Sequence, residues 1–292
     1  MAIGQRRMGV TGTTLLPMLL AAACGSPAGS PLAESQPAAE PSPAGQRVPF
    51  EVLVNGLEVR GHCVGTRDTG EPAVVLQAGN GGLPSDLGGV QGHMVDRTMV
   101  CGFARPGAGG NPAPADLPRP IDEVVRDVHS TLLAAQIEPP YFLVGQSAGS
   151  AVVFMFAQAY PDAVAGFVFI NGNPPYETWR QAAAESGLPA DLVAGAEADF
   201  SGENPERIDF RTNQSMLTDP LPDDLPYAVM YDECGDIPDC PINFEAAVFE
   251  QLAKVGEGGR FIWAKGAGHE MHLTEPQLVY DTIDEVWAEA TD

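Results

Sequence analysis

The sequence predicts a protein of the α/β class, with a mostly parallel central sheet covered by helices on both faces. Two observations lead to this prediction. From Pro49 onward, short apolar runs of strand length alternate with longer segments of helical period. Such alternation is typical of parallel strands, because neighbouring parallel strands need long helical connections. The alternation of strand-like and helix-like segments is interrupted over residues 174–225. This interruption predicts a helical cap inserted after the sixth strand, over the carboxyl edge of the sheet.

The predicted elements follow one another along the chain. A β-hairpin comes first, with strands over 50–54 and 57–64 joined by Asn55-Gly56. The other strands are the apolar runs 73–77, 98–103, 141–145, 164–170, 227–231 and 260–264. Helices are expected over 121–137, 148–160 and 242–255, and from about Pro276 onward.

The N-terminal segment is typical of a secretory signal. A basic start precedes an uncharged stretch over residues 8–23, and small residues lead directly to Cys24. This layout resembles the lipobox of bacterial lipoproteins, which implies acylation of Cys24 and a lipid anchor in the membrane. Ordinary cleavage near Ala23 is the alternative. We therefore expect residues 1–23 to be a signal peptide and the protein to be exported, either anchored in the cell envelope or secreted.

The remaining chain divides into a tether and one domain. Residues 24–47 are mostly small residues, Pro and Glu, which cannot bury a core and predict a disordered tether. Residues 48–292 are long enough for a single α/β domain, with the cap at about 174–225. The formal net charge of −24 would repel a phosphate backbone, so nucleic acid is not an expected partner.

Five cysteines are present, and Cys24 is assigned to lipidation. The even number that remains suits an oxidising compartment. Cys63 and Cys101 lie on predicted strands, and Cys234 and Cys240 bracket a short loop, so we expect the disulfides Cys63–Cys101 and Cys234–Cys240. Buried free thiols are the alternative. Because no CxxC pair occurs, we expect no zinc site.

The candidate nucleophile is Ser147. Residues 145–149 read Gly-Gln-Ser-Ala-Gly and lie between an apolar strand and an apolar helix, which is the required context of the G-x-S-x-G pattern. Glycines are needed on both sides because side chains would clash at so tight a turn. The N-terminus of the following helix favours developing negative charge.

A serine nucleophile needs a base, and His269 fits best. It follows the last predicted strand, in the segment AKGAGHEMHLTEP. When the serine, the acid and the histidine follow one another along the chain in that order, the histidine is expected there. His272 is a weaker candidate, and H-E-M-H lacks the H-E-x-x-H spacing of a metal site. The three other histidines precede Ser147 and are expected to serve packing or the surface.

The acid is expected in the loop after the strand 227–231. Asp236 is followed by Ile and Pro, as is typical of hydrolases with this chain order, and is therefore preferred. Asp232 ranks next, and Glu233 stays open.

These motifs resemble those of the α/β-hydrolases over most of residues 50–290. VVLQAGNGG resembles the oxyanion turn of that family, CGFARPGAGGN its segment after the next strand, and GHEMHLTEPQLV its ending. The resemblance implies an oxyanion hole formed by the backbone N–H groups of Asn80 and Ala148. The chain departs from the family at three positions: Ala78, Ala104 and Asn171.

The resemblance implies a serine hydrolase that cleaves small carboxylic esters through an acyl-enzyme, without a cofactor or metal. Serine at position 147, rather than aspartate, argues against epoxide hydrolase chemistry. One alternative is an aminopeptidase or amidase, for which Glu177 could hold the substrate amine. Another is a non-catalytic binding protein on a hydrolase scaffold.

Overall fold

The computed structural model describes residues 45–232 and 245–292. Several predictions lie outside these ranges: the signal peptide, the tether up to residue 44, Cys24, Glu233, Asp236 and the pair Cys234–Cys240.

Within the described residues, eight strands form one sheet with the order β1-β2-β4-β3-β5-β6-β7-β8. The strands are β1 (Arg47–Val54), β2 (Leu57–Val64), β3 (Ala73–Gln77), β4 (Val100–Phe103), β5 (Tyr141–Gln146), β6 (Val164–Ile170), β7 (Tyr227–Tyr231) and β8 (Gly259–Trp263). Strand β2 runs antiparallel to β1 and β4, and the other neighbours are parallel. The predicted mostly parallel sheet is confirmed.

The N-terminal hairpin turns at Asn55 and Gly56, which both have positive φ, 51° and 80°. This is the backbone that a two-residue hairpin turn requires. Strand β1 begins at Arg47, which pairs with Val64, so the sheet starts one residue before the predicted beginning of the domain at residue 48.

Helices cover both faces of the sheet. In chain order they are α1 (Gly88–Met94), α2 (Ile121–Ala134), α3 (Ala148–Ala159), α4 (Tyr176–Ser186), α5 (Ala190–Phe200), α6 (Ser215–Thr218), α7 (Ala246–Leu252), α8 (Met271–Thr274) and α9 (Pro276–Thr291). Alternate strand residues enter different cores: Val75 and Leu143 pack with α2, α3 and α7, while Val74 and Val144 pack with α1 and α9. None of the helices in the described ranges is long and apolar enough to cross a bilayer.

The predicted Cys63–Cys101 disulfide is confirmed. The two cysteines face each other in the antiparallel register of β2 and β4. The bond therefore fastens the hairpin to the rest of the sheet. Closing a loop of 38 residues contributes roughly 4 kcal/mol in the chain-entropy view.

The cap between β6 and β7 contains α4, α5 and α6. Its helices bury few side chains: Trp179 and Ala183 on α4, Phe200 on α5, and Met216 on α6. A two-residue strand in the cap, Ile208–Asp209, pairs with Arg119–Pro120. Among the side chains of the cap helices, only these few are buried in the hydrophobic core, and other cap residues line an open cavity, which explains why the apolar periodicity of the cap helices is weak.

Candidate active site

Ser147 lies on the turn between β5 and α3. Its backbone has φ 53° and ψ −125°, a conformation that a residue with a side chain adopts only when its surroundings impose it. The Ser147 N–H donates to the Ile170 carbonyl at 3.0 Å, which fixes the turn against the end of β6. A serine on a strained strand-to-helix turn is typical of an exposed nucleophile.

The glycines on either side of Ser147 are required by the backbone around them. A Cβ on Gly145 would lie 2.4 Å from the Gly149 carbonyl oxygen, and one on Gly149 would lie 2.0 Å from the Gln77 carbonyl oxygen. Both distances are far below van der Waals contact. The steric reason given for the Gly-x-Ser-x-Gly pattern therefore holds in this chain.

Ser150 holds the first turn of α3 in place. Its buried hydroxyl accepts a hydrogen bond from the Ile170 N–H at 2.9 Å, and the Gly145 carbonyl lies 2.6 Å away as its acceptor. This one side chain joins α3 to β5 and β6. Sequence reasoning did not single it out, although its position three residues after the candidate nucleophile is a usable signal.

His269 lies on the loop between β8 and α8, and residues 265–270 are called the base loop here. Ser147 and His269 line the same two neighbouring cavities, of about 410 and 610 Å³. In the described part of the chain no hydrogen bond joins the two side chains. Such bonds are often long without substrate and tighten when it binds.

Asp232 anchors the base loop. It is buried at the end of β7, and its carboxylate accepts hydrogen bonds from the backbone N–H groups of Gly266, at 2.8 Å, and Gly268. Each of its two carboxylate oxygens therefore accepts a hydrogen bond from the backbone just before His269. Asp232 was the second choice for the acid, and its described contacts are those of a residue that positions the loop.

The other histidines are placed differently. His272 is buried on α8 and lines only the larger cavity. Burial lowers its pKa, and the Glu270 carboxylate, 3.6 Å from its Nε2, opposes that shift. His93 contacts Asp284, and His129 stacks on the Tyr160 ring, so these two serve packing and surface contacts as expected.

The turn after β3, residues 78–82, lies beside Ser147 and is called the oxyanion turn here. A Cβ on Gly79 would lie 3.3 Å from the Ser147 Cβ. The backbone N–H groups of Asn80 and Ala148 donate to no acceptor among the described residues. Two free N–H groups near the serine hydroxyl are what an oxyanion hole needs.

A buried ion pair fastens the oxyanion turn to the cap. The Arg105 guanidinium donates to both oxygens of Glu206, at 2.9 and 2.5 Å, and to the carbonyls of Ala78 and Gly79, at 2.9 and 2.8 Å. Both side chains are almost fully buried. Glu206 was missed by sequence reasoning, because it is 101 residues from its partner.

Glu206 also contacts the oxyanion turn directly. Its carboxylate accepts from the Gly81 N–H at 2.7 Å, and its own N–H donates to the Asn80 side-chain oxygen at 2.9 Å. The conformation of the turn that carries the Asn80 N–H is therefore set from the cap.

Glu177, the sequence candidate for holding a substrate amine, lies on the surface. Its carboxylate pairs with Arg180 on the same helix at 2.8 Å, and it is absent from the lining of both cavities at Ser147. In the described ranges no group of three or more His, Cys, Asp or Glu side chains could hold a metal ion.

The parallel sheet, the serine on its strand-to-helix turn and the histidine after the last strand together define an α/β-hydrolase fold. The comparison with protein families agrees: residues 72–187 match the family described as alpha/beta hydrolase fold. The chain resembles that family over these residues, and its fold is that of the α/β-hydrolases. No curated protein matches it in sequence.

Solved structures with this fold are similar to the chain at low identity. A protein assigned as a lipase from Acinetobacter baumannii AYE has 13% identity and a TM-score of 0.60, covering 84% of this chain and 92% of its own. The enol-lactonase from Burkholderia xenovorans LB400 has 17% identity and a TM-score of 0.58, covering 82% and 100%. Epoxide hydrolase A from Mycobacterium thermoresistibile has 17% identity and a TM-score of 0.58, and the match covers 82% of this chain and 98% of its own. Their names span different reactions, so the likeness defines the fold and leaves the chemistry to the site.

Proposed function

We propose that the chain is an exported serine hydrolase that cleaves carboxylic esters of small molecules. One observation carries this proposal: Ser147, held on a strained turn, lines the same cavities as His269. A hydroxyl and an imidazole at one cleft provide the nucleophile and the base that ester cleavage requires.

In the proposed reaction the Ser147 hydroxyl attacks the ester carbonyl while His269 takes its proton. The Asn80 and Ala148 N–H groups stabilise the oxyanion of the tetrahedral intermediate. His269 then gives the proton to the leaving alcohol, and an acyl-enzyme forms on Ser147. Water attacks that ester with the help of His269 and releases the acid. Asp236, outside the described residues, is our proposal for the acid that orients the imidazole.

The proposal includes a signal peptide over residues 1–23, acylation of Cys24, a tether over 24–47 and a hydrolase domain over 48–292. Mass spectrometry of the protein purified from a bacterial envelope tests the anchor. A lipid-modified N-terminal Cys24 supports it, and an unmodified N-terminus near this position rejects it in favour of ordinary cleavage.

The function itself is tested with p-nitrophenyl butyrate and a fluorophosphonate probe. We expect turnover of the ester and labelling of the peptide that contains Ser147. Ser147→Ala should lose labelling and lower kcat on the order of 10⁴-fold. Ser130→Ala, on the outer helix α2, is the matched control and should keep both. A folded wild-type protein without turnover or label would favour a non-catalytic binding protein instead.

Amide cleavage is the nearest alternative on the same site. Comparing p-nitrophenyl esters with amino-acid anilides separates the two reactions. We expect esters to be cleaved faster, and faster cleavage of anilides would assign an amidase or aminopeptidase.

A further inference from the structure

The smaller cavity at Ser147, about 410 Å³, extends from the candidate nucleophile to the cap. Its volume suits a small-molecule group. Three aromatic side chains line it: Trp179 from α4, Phe200 from α5 and Phe249 from α7. Aromatic faces offer both apolar contact and a negative electrostatic surface.

Two carboxylates line the same cavity, Asp199 at the end of α5 and Glu245 before α7. The indole N–H of Trp179 donates to the Glu245 carboxylate at 2.6 Å, which fixes its direction. Among the described residues, the cavity lining contains no lysine or arginine, and neither carboxylate joins an ion pair.

Burial disfavours the charged forms of these two carboxylates. Burial raises the pKa of both, and the Asn173 side chain opposes the shift at Asp199, as Trp179 does at Glu245. Elsewhere in the described chain the buried carboxylates have charged or backbone partners: Glu206 has Arg105 and Asp232 has the base loop. Asp199 and Glu245 have polar partners but no opposite charge among the described residues, and a ligand that brings one would offset the cost of their burial.

Asn171 provides an independent indication. It follows β6, is only 9% exposed and lines the cavity. Its backbone N–H donates to Met230, but its side chain has no hydrogen-bond partner among the described residues. A buried amide directed at an open cavity leaves its donor and acceptor for a bound molecule.

We propose that this cavity binds a protonated amine or a quaternary ammonium group of the substrate, through Asp199, Glu245 and the aromatic side chains around them. The carboxylates supply the charge, and the aromatic faces stabilise the cation further. Asn171 binds a polar group of the same molecule. The inference rests on the proposed hydrolase function, because the cavity places the cation beside Ser147.

Binding can be measured without turnover. In the Ser147→Ala protein we expect hexylammonium to bind saturably in calorimetry, at least about tenfold more tightly than hexanol of the same length. The double variant Asp199→Asn/Glu245→Gln should remove this preference. Asp191→Asn, which removes an exposed carboxylate from the same helix α5, is the matched control and should keep it. Circular dichroism verifies that each variant is folded, and single variants are used if the double variant is not.

Two substrate pairs then locate the cation in active protein. The p-nitrophenyl esters of ω-aminohexanoate and heptanoate differ by an ammonium in place of a methyl group on the acyl side. Acetylcholine and its carbon isostere differ in the same way on the alcohol side. We expect the cationic member of at least one pair to have kcat/KM about tenfold higher, and the double variant to remove the difference.

The two proposals fail in different ways. Equal binding of hexylammonium and hexanol by folded protein, with neutral esters still cleaved, would overturn the cation site alone. Unchanged ester turnover in Ser147→Ala would overturn the hydrolase proposal, and ammonium binding would still be measurable. Equal rates within both substrate pairs would likewise reject the cation as a substrate group.

Discussion

The two halves of the candidate site are held in place by different means. The nucleophile half, Ser147 with the oxyanion turn, is enclosed by backbone and tied to the cap by the buried pair Arg105–Glu206. The base half, with His269, is an exposed loop that Asp232 holds through two backbone hydrogen bonds. The first half should therefore tolerate almost no change without loss of folding or rate. Substitutions in the base half should have smaller effects on stability and rate.

The largest expected difference concerns one glycine in each half. Gly149→Ala places a Cβ 2.0 Å from a backbone oxygen and should lower the free energy of unfolding by about 3 kcal/mol or more. A Cβ on Gly268 in the base loop would have no atom within 4 Å, so Gly268→Ala is destabilising only because of the φ of +75°. The expected loss is about 1–2 kcal/mol. Urea unfolding of both variants measures this. Equal losses would mean that the two halves are equally constrained.

Removing a charge from the cap should slow the reaction. Glu206→Gln leaves Arg105 buried without its ion pair and releases the oxyanion turn, so kcat for p-nitrophenyl butyrate should fall on the order of 10²-fold, with KM little changed. Asp127→Asn on α2 breaks a comparable buried pair, with Arg119 just before that helix, and is the control.

Both variants should be less stable, but only Glu206→Gln should lose rate in the fraction that stays folded. An equal fall in kcat for Asp127→Asn would assign the effect to general destabilisation rather than to the oxyanion turn.

Loosening the base loop should have a smaller effect. Asn at position 232 can accept only one of the two backbone hydrogen bonds, so Asp232→Asn should lower kcat about tenfold. Asp223→Asn, in the exposed loop before β7, is the matched control and should leave kcat unchanged. Wild-type kcat in Asp232→Asn would show that the anchor does not position His269.

The smallest expected effect is a gain in stability when the ionisable side chain of Glu245, in the smaller cavity at Ser147, is replaced. Burial raises the pKa of Glu245, so the folded protein binds that proton more tightly than the unfolded chain. The stability this provides is present below the ordinary glutamate pKa and is lost as the pH rises through the raised value.

Glu245→Gln cannot ionise, so it does not lose stability as the pH rises. Its amide oxygen can still accept the hydrogen bond from Trp179. Its free energy of unfolding relative to wild type should therefore increase as the pH rises above the ordinary glutamate pKa of about 4, by on the order of 1 kcal/mol for each unit of pKa shift. A difference independent of pH, measured by urea unfolding, would contradict the raised pKa.

Much of this fold could be predicted from the sequence, because its strands are short apolar runs buried on both faces. The strands 164–170 and 227–231 have the predicted bounds. The predicted strand 98–103 starts only at Val100, since the Thr98 N–H and hydroxyl donate to carbonyls outside the sheet. The hydroxyl bond reaches Pro72, 26 residues earlier in the chain, and local pattern gives no signal for it.

The site was predictable only where chain order constrains it. Ser147 and His269 follow particular strands, so pattern and position single them out as candidates. Glu206, Asp199 and Glu245 are three among 39 acidic residues, and only the folded chain brings them near the candidate site. The sequence candidate Glu177 was chosen from the same cap, yet it lies on the surface.

The central claim is that Ser147 and His269 act as one unit, and a double-mutant cycle on kcat/KM for p-nitrophenyl butyrate tests it most directly. Residues of one catalytic unit are strongly non-additive, so Ser147→Ala, His269→Ala and the double variant should all fall to about the same residual rate, on the order of 10⁴-fold below wild type. If either single variant keeps wild-type kcat/KM, or if the double variant loses the product of the two single effects, the two residues do not work together and the account is wrong.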